Sequence, residues 1–278
     1  MEINKKIIKL LNNVKEKGPL VHHITNYVTV NDCANITLAI GGSPVMADDI
    51  NEVSDMVSLS SALVINIGTL NTTSIQSMLL AGKTANKFNI PVILDPVGAG
   101  ATTYRTNTAK KIISEVKLSV IRGNLSEIKT LYGIEAKTKG VDACVSASVD
   151  GNEFTQVKEM AKALATKFNT VVAITGAVDI ITDGENLYTA SNGHKIMAKV
   201  TGTGCMCTSL IGCCLGAGDN NLLAALSGVV SMGIAGEIAY EGLDKNRGGT
   251  GTLKVKIIDA IYNLTETEIM KRSKINEK

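Results

Sequence analysis

Apolar side chains at Ile3, Ile7, Leu10 or Leu11 and Val14 recur at the spacing of one helical face, and Gly18-Pro19 closes the segment. This predicts an amphipathic surface helix. Downstream the pattern changes to short β-branched runs at 19–23, 62–67, 91–94, 118–121 and 170–175. Helical patterns follow at about 29–40, 73–88, 105–115, 125–131 and 155–168. Runs that are apolar almost throughout, such as 91–94 and 170–175, suit parallel strands covered on both faces. Next come two strand candidates, 179–182 and 186–190, flanking Asp183-Gly184-Glu185, which predicts a hairpin. Two long apolar helices, 204–217 and 221–240, complete the pattern. Alternating strands and helices, with no repeat or linker, predict one α/β domain over residues 1–278. Its expected form has three layers, a mostly parallel central sheet flanked by helices. Ligands in such sheets gather beyond the carboxyl ends of the strands.

Composition narrows the range of partners. Hydrophobic residues make up 45% of the chain, enough for a large core, and the net charge is only +2. A near-neutral chain lacks the electrostatic footprint of a nucleic-acid binder or of a protein held to an anionic membrane surface. With three Phe, six Tyr and no Trp it offers few base-stacking platforms. One local departure stands out: no Lys or Arg lies between Lys199 and Lys245, and four of the six cysteines fall there. Ser, Thr, Asn and Gly dilute this stretch, so buried core helices are the better reading than a bilayer span. The charged N-terminus is no signal peptide, and the cysteines read as free thiols of a reducing compartment. Cys207, Cys213 and Cys214 lack zinc-knuckle spacing and read as small core residues.

No nucleotide-binding motif is complete in this chain. Gly82-Lys83-Thr84 has the second half of a P-loop but Ser77 in place of its first glycine, and it sits within a helical pattern. Gly123 with Lys129-Thr130 fails at Ile128, and no G-x-G-x-x-G follows a strand. The best phosphate candidate is Thr201-Gly202-Thr203-Gly204-Cys205, where two glycines open the first long apolar helix. Backbone N–H groups at such a start, with Gly202 and Gly204, can form an anion hole, although a tight turn has the same composition. Cys205 would sit at a helix N-terminus, where a thiol pKa is commonly lowered; the alternative is a small apolar residue. Asp95, before Pro96, is a carboxylate at the end of an apolar run or a plain turn-former. Asn124 and Glu127 share a helical face, suited to Mg²⁺ held largely through water or equally to a capping box, and Arg122 suits a phosphate fork. The adjacent His22 and His23 point opposite ways on a strand and make a poor chelate.

Taken in order, His23-Ile24-Thr25-Asn26-Tyr27-Val28-Thr29, Ser43-Pro44-Val45-Met46-Ala47, Asp95-Pro96-Val97-Gly98-Ala99, Arg122-Gly123-Asn124 with Glu127, Thr175-Gly176 and Gly202-Thr203-Gly204-Cys205 resemble the hydroxyethylthiazole kinases of the ribokinase-like superfamily. The resemblance runs over nearly the whole chain. It implies a ribokinase-like fold and ATP-dependent phosphorylation of the primary alcohol of 4-methyl-5-(2-hydroxyethyl)thiazole, a thiamine-salvage reaction. It further implies that Met46, Gly202 and Asn26 meet the thiazole alcohol, that Arg122, Thr175 and Asn124 bind ATP, and that Asp95 and Glu127 serve Mg²⁺ and the phosphates. Cys205, with Gly202 and Gly204, would be catalytic. It stands where the wider superfamily has an aspartate base, so it would orient the alcohol or accept its proton. Gly249-Thr250-Gly251 replaces an expected Gly-Pro-Gly. The resemblance also implies a cytoplasmic homotrimer with the thiazole site near a subunit interface.

Other readings remain for the same residues: a hydroxymethylpyrimidine or pyridoxal kinase, a nicotinamide-hydrate dehydratase, a non-catalytic thiazole or nucleotide sensor, or a thiol-redox or metal-thiolate protein. The segments around Asn26 and Met46 argue against the other ribokinase-like enzymes. Intact Asp95, Glu127 and Gly202–Cys205 argue against a decayed sensor.

Overall fold

The structure, a computed structural model, describes residues 2–134, 151–244 and 246–277. It opens with α1 (Glu2–Lys17), whose buried residues Ile7, Leu10, Leu11 and Val14 are those of the apolar face read from the sequence. Then follow β1 (Leu20–Ile24), α2 (Val30–Ile40), β2 (Ser43–Met46), α3 (Val53–Ser58), β3 (Ala62–Asn66), α4 (Thr72–Lys87), β4 (Val92–Asp95), α5 (Thr103–Glu115), β5 (Val120–Asn124), α6 (Leu125–Tyr132), α7 (Gly151–Phe168) and β6 (Val171–Thr175). The chain continues through β7 (Asp179–Thr182), β8 (Leu187–Ala190), a 3₁₀ turn, α8 (Thr203–Ala217), α9 (Asn221–Glu241), α10 (Thr250–Tyr262), α11 (Glu266–Arg272) and β9 (Ile275–Glu277).

Among the described residues the strands form a nine-stranded mixed sheet of order β2-β1-β3-β4-β5-β6-β7-β8-β9. The pairs from β2 to β6 are parallel, and β6 to β9 are antiparallel. Alternation along each strand divides the core into two layers. Ala62 and Val64 of β3 join one cluster with residues of α1, α2, α8, α9, α10 and α11. Leu63 and Ile65 join the other, with residues of α3 to α7. Both faces are therefore covered, which is why the central strands carry no polar alternation. The hairpin loop turns at Gly184 (φ +103°), with Asp183 Oδ1 accepting the N–H groups of Glu185 and Asn186.

The α/β class and its mostly parallel sheet follow the sequence pattern. Several peripheral elements do not. β2 is a half-buried edge strand of four residues with Pro44 inside it, tolerated because an edge leaves one side of the backbone unpaired. α3, α10, α11 and β9 are likewise additions to the sequence pattern, although α3 and α10 bury Val53, Val57, Leu253 and Ile257 in the core. α9 is long and apolar enough by composition to cross a membrane, more so than its diluting residues suggest. It packs as a core helix instead, with 78% of its apolar window buried. Cys207, Cys213 and Cys214 are free, buried thiols in the layer around α8, and burial pushes Cys207 and Cys213 up to about 12.

Candidate active site

Parallel register brings the chemistry to one edge. β3, β4, β5 and β6 end on Asn66, Asp95, Asn124 and Thr175, and Asn26 follows β1 by two residues. Asn66 lies opposite Asp95, and Asn124 opposite Thr175. Over this edge α8 begins at Gly202, which adopts a left-handed conformation (φ +91°) and makes no side-chain cap. The first-turn N–H groups of α8 therefore receive no capping bond from that residue, whereas Asn71, Thr102 and Asn220 cap α4, α5 and α9.

Asp95 is the centre of the arrangement and is fully buried. Its Oδ2 accepts hydrogen bonds from Asn66 Nδ2 (3.0 Å) and Thr208 Oγ1 (2.8 Å), and Arg122 stands 3.6 Å away. Among the described residues its Oδ1 has no hydrogen-bond partner. Arg122 also donates to Thr175 Oγ1, which ties β5 to β6 at the same edge. Glu127 completes a capping box with Asn124: its Oε2 accepts the Asn124 N–H, and Asn124 Oδ1 accepts the Glu127 N–H. Glu127 Oε1 meanwhile accepts the Gly98 N–H at 2.8 Å. Both readings of the Asn124–Glu127 pair are thus compatible in space, since the cap leaves the carboxylate beside the Asp95 loop.

Cys205 Sγ receives Nδ2 of Asn26 and of Asn66, each at 3.3 Å. Asn26 Nδ2 also donates to Asn66 Oδ1 at 3.0 Å, and Asn26 Oδ1 accepts the N–H and hydroxyl of Thr29. Gly204 packs so closely on Arg122 that a Cβ there would lie 2.6 Å from Nη1. Asn26, Cys205, Gly202, Gly204, Asp95, Arg122, Asn124, Glu127 and Thr175 thus converge on one end of the sheet. Met46 ends the edge strand β2 in register with His23, one strand removed from the Asn66–Asp95 pair.

The electrostatics correct one expectation. A helix N-terminus lowers a thiol pKa, yet burial, reinforced by the negative charge of Asp95, pushes the Cys205 thiol up. At neutral pH this side chain is therefore a thiol. Burial, then the charge of Asp95, pushes Glu127 up to about 7, against the pull of the Gly98 and Asn124 N–H groups. His22 and His23 are buried neutral imidazoles, His22 donating to the Ala47 carbonyl and His23 lowered to about 4 by burial.

Sequence reasoning did not single out Asn66, Thr208 or Asp179. Asn66 was a polar residue inside an apolar run, which is itself a signal. Thr208 lies one helical turn beyond Gly204, on the face that meets Asp95. Asp179 read only as the start of a strand, but its Oδ1 accepts the Gly176 N–H at 2.9 Å and so holds the turn after Thr175. Burial pushes Asp179 from its ordinary 3.8 up to about 7, against the pull of that N–H and of Arg122. The folded state keeps this proton where the unfolded chain has lost it, so its contribution to stability falls as the pH rises through that window. Asp179→Asn keeps the acceptor and removes the titration. The melting temperature of wild type relative to this variant is expected to drop between about pH 5 and pH 8. Thermal melts at the two pH values check it, and a constant difference would remove the titration from Asp179.

The fold is ribokinase-like. A ribokinase-like superfamily protein from Enterococcus faecalis V583 matches with a TM-score of 0.58 at 13% identity over 90% of this chain and 88% of that one, a likeness of fold alone. Closer matches set the family. The model described as the Hydroxyethylthiazole kinase family matches residues 11–267. A hydroxyethylthiazole kinase of Alkaliphilus oremlandii is 58% identical over the whole of both chains. A hydroxyethylthiazole kinase structure from Pyrococcus horikoshii OT3 superposes with a TM-score of 0.87 at 39% identity over 99% of both chains. The chain belongs to the hydroxyethylthiazole kinase family of enzymes.

Proposed function

We propose that this protein, acting as one domain over residues 1–278, transfers the γ-phosphoryl group of ATP to the hydroxyl of 4-methyl-5-(2-hydroxyethyl)thiazole. The observation that carries the reading is the meeting of the uncapped start of α8 with the buried Asp95–Arg122 pair and the Asn26–Cys205 contact. Family membership supports the substrate. In this reading Met46, Gly202 and Asn26 hold the alcohol, while Arg122, Thr175 and Asn124 hold ATP. The first-turn N–H groups at Gly204 and Cys205, with Arg122, face the charge that spreads over the equatorial oxygens of the transferring group.

The residues present fit a magnesium ion held mainly by water and phosphate. Asp95 Oδ1 is a buried carboxylate oxygen with no hydrogen-bond partner among the described residues, the direct candidate, and Glu127 would reach the ion through water because both of its oxygens already accept N–H groups. Mg²⁺ when bound would neutralise phosphate charge. A loose phosphoryl-transfer transition state places little demand on a strong base, so the protonated Cys205 aligns the alcohol rather than deprotonating it outright. Family membership supports a cytoplasmic homotrimer, and the exposed Tyr27 and Val28 beside Asn26 offer an apolar surface for a subunit contact near this end of the sheet. Light scattering tests the trimer.

A coupled assay of ADP release, with thiazole alcohol, pyrimidine alcohol and pyridoxal offered in parallel, tests the function. Thiazole-dependent ADP that requires Mg²⁺ is expected, and none would overturn the reading. Cys205→Ala is expected to lower kcat about tenfold to a hundredfold by loosening alignment, without abolishing turnover. If Cys205→Ala and Cys205→Asp both ran at the wild-type rate, Cys205 would have no part in the chemistry.

A further inference from the structure

The side chain of Asn66 lies between the two halves of this site, and every one of its polar positions is used. It is 1% exposed at the end of β3. Its Oδ1 accepts the Gly68 N–H at 2.9 Å and Asn26 Nδ2 at 3.0 Å. Its Nδ2 donates to Asp95 Oδ2 at 3.0 Å and to Cys205 Sγ at 3.3 Å. The backbone donor at Gly68 and the carboxylate acceptor at Asp95 together fix which end of the amide is oxygen. A leucine at this place would remove one hydrogen bond from each of Gly68 N–H, Asn26 Nδ2, Asp95 Oδ2 and Cys205 Sγ, and an aspartate would set a second carboxylate against the first.

These bonds run in one direction. Thr29 donates to Asn26, Asn26 to Asn66, and Asn66 to Asp95, with Cys205 Sγ bridging the two amides. Because Asn66 and Thr208 both hold Oδ2, the Asp95 carboxylate is rotated so that Oδ1 is the oxygen left over. The group that would hold the acceptor alcohol and the group that would face the phosphates are therefore set against each other by one amide.

We propose that Asn66 is a positioning residue, joining the Asn26–Cys205 side of the site to Asp95 so that the acceptor hydroxyl and the phosphoryl group meet in line. This rests on the kinase reading given above. Asn66 need touch neither substrate. Its effect is on alignment, so it falls on turnover rather than on the affinity for ATP, which is held across β5 and β6 by Arg122 and Thr175.

The test uses Asn66→Ala and Asn66→Ser, the second keeping a small polar group should the first fail to fold. In steady-state ADP release with thiazole alcohol, kcat is expected to fall about 30- to 100-fold while KM for ATP stays within about threefold. A kcat within threefold of wild type, or a rise in KM for ATP matching the loss in kcat, would overturn the proposal. Wild type run alongside separates the two ideas: if it releases no thiazole-dependent ADP, the kinase reading fails by itself. The positioning claim is then read from crystal structures of wild type and Asn66→Ser. Displacement of the Asn26 amide and rotation of the Asp95 carboxylate are expected, and both groups unmoved would overturn it.

Discussion

Asp95→Asn is expected to cut thiazole-dependent turnover by about a thousandfold, the scale seen when a preorganised charge or donor is lost from a transition state. The substitution keeps the shape of the side chain, so the effect isolates charge and hydrogen-bond polarity. In the native arrangement Oδ2 faces three donors, from Asn66, Thr208 and Arg122, and only an acceptor satisfies them. An amide must either turn its NH₂ group toward those donors or place it where Oδ1 now stands unpartnered. The first choice breaks the cluster, and the second removes the free oxygen that the proposed Mg²⁺ and phosphate role rests on. In both cases Arg122, whose side chain is 12% exposed, loses its counter-charge. Leaving one member of a buried pair alone costs about 3 kcal/mol, so denaturant melts should show the variant less stable as well as slower. Turnover within tenfold of wild type would take Asp95 out of the chemistry.

Much of this cluster is legible in the sequence, for a topological reason. In a parallel sheet each strand delivers its last residue to the same edge, so polar residues closing the apolar runs near 62–67, 91–94, 118–121 and 170–175 had to be neighbours. Asp95, Arg122 and Asn124 are read that way, whereas Thr175 enters only through the family resemblance. Asn66 follows the same rule but was hidden by Ile67, which prolonged the apolar run past it. Thr208 and Asp179 were hidden differently, because their role depends on which face of α8 meets β4 and on how β7 turns back. Those are facts of packing that no local pattern carries. The protonation of Cys205 is of the same kind: position on the helix predicts a lowered thiol pKa, and burial beside Asp95 reverses it. Peripheral β2 was missed because an edge strand of four residues, one a proline, has too little alternation to register.

The two glycines of Gly202-Thr203-Gly204 were legible as composition, but the structure separates their tasks. Gly204 is a matter of space, since its missing Cβ makes room for the Arg122 guanidinium. Gly202 is a matter of space and of backbone. At φ +91° an L side chain is strained, and its Cβ would lie 2.8 Å from Cγ2 of Thr29 and 3.5 Å from Asp32 Oδ2. Thr29 is 3% exposed and donates twice to Asn26, so it has little freedom to yield. Gly202→Ala therefore pushes on the first member of the chain that runs through Asn26 and Asn66 to Asp95, and it also tilts the start of α8. Backbone strain of about 1–3 kcal/mol, added to the overlap, is expected to lower the melting temperature by roughly 4–10 °C. Turnover should fall by about a hundredfold or more, because displacement of order 1 Å at Asn26 and Cys205 is enough to misalign the acceptor. Thermal melts and ADP release on the same preparation check both parts. A variant that melts lower yet turns over at the wild-type rate would show that the start of α8 is needed for folding and not for phosphoryl transfer.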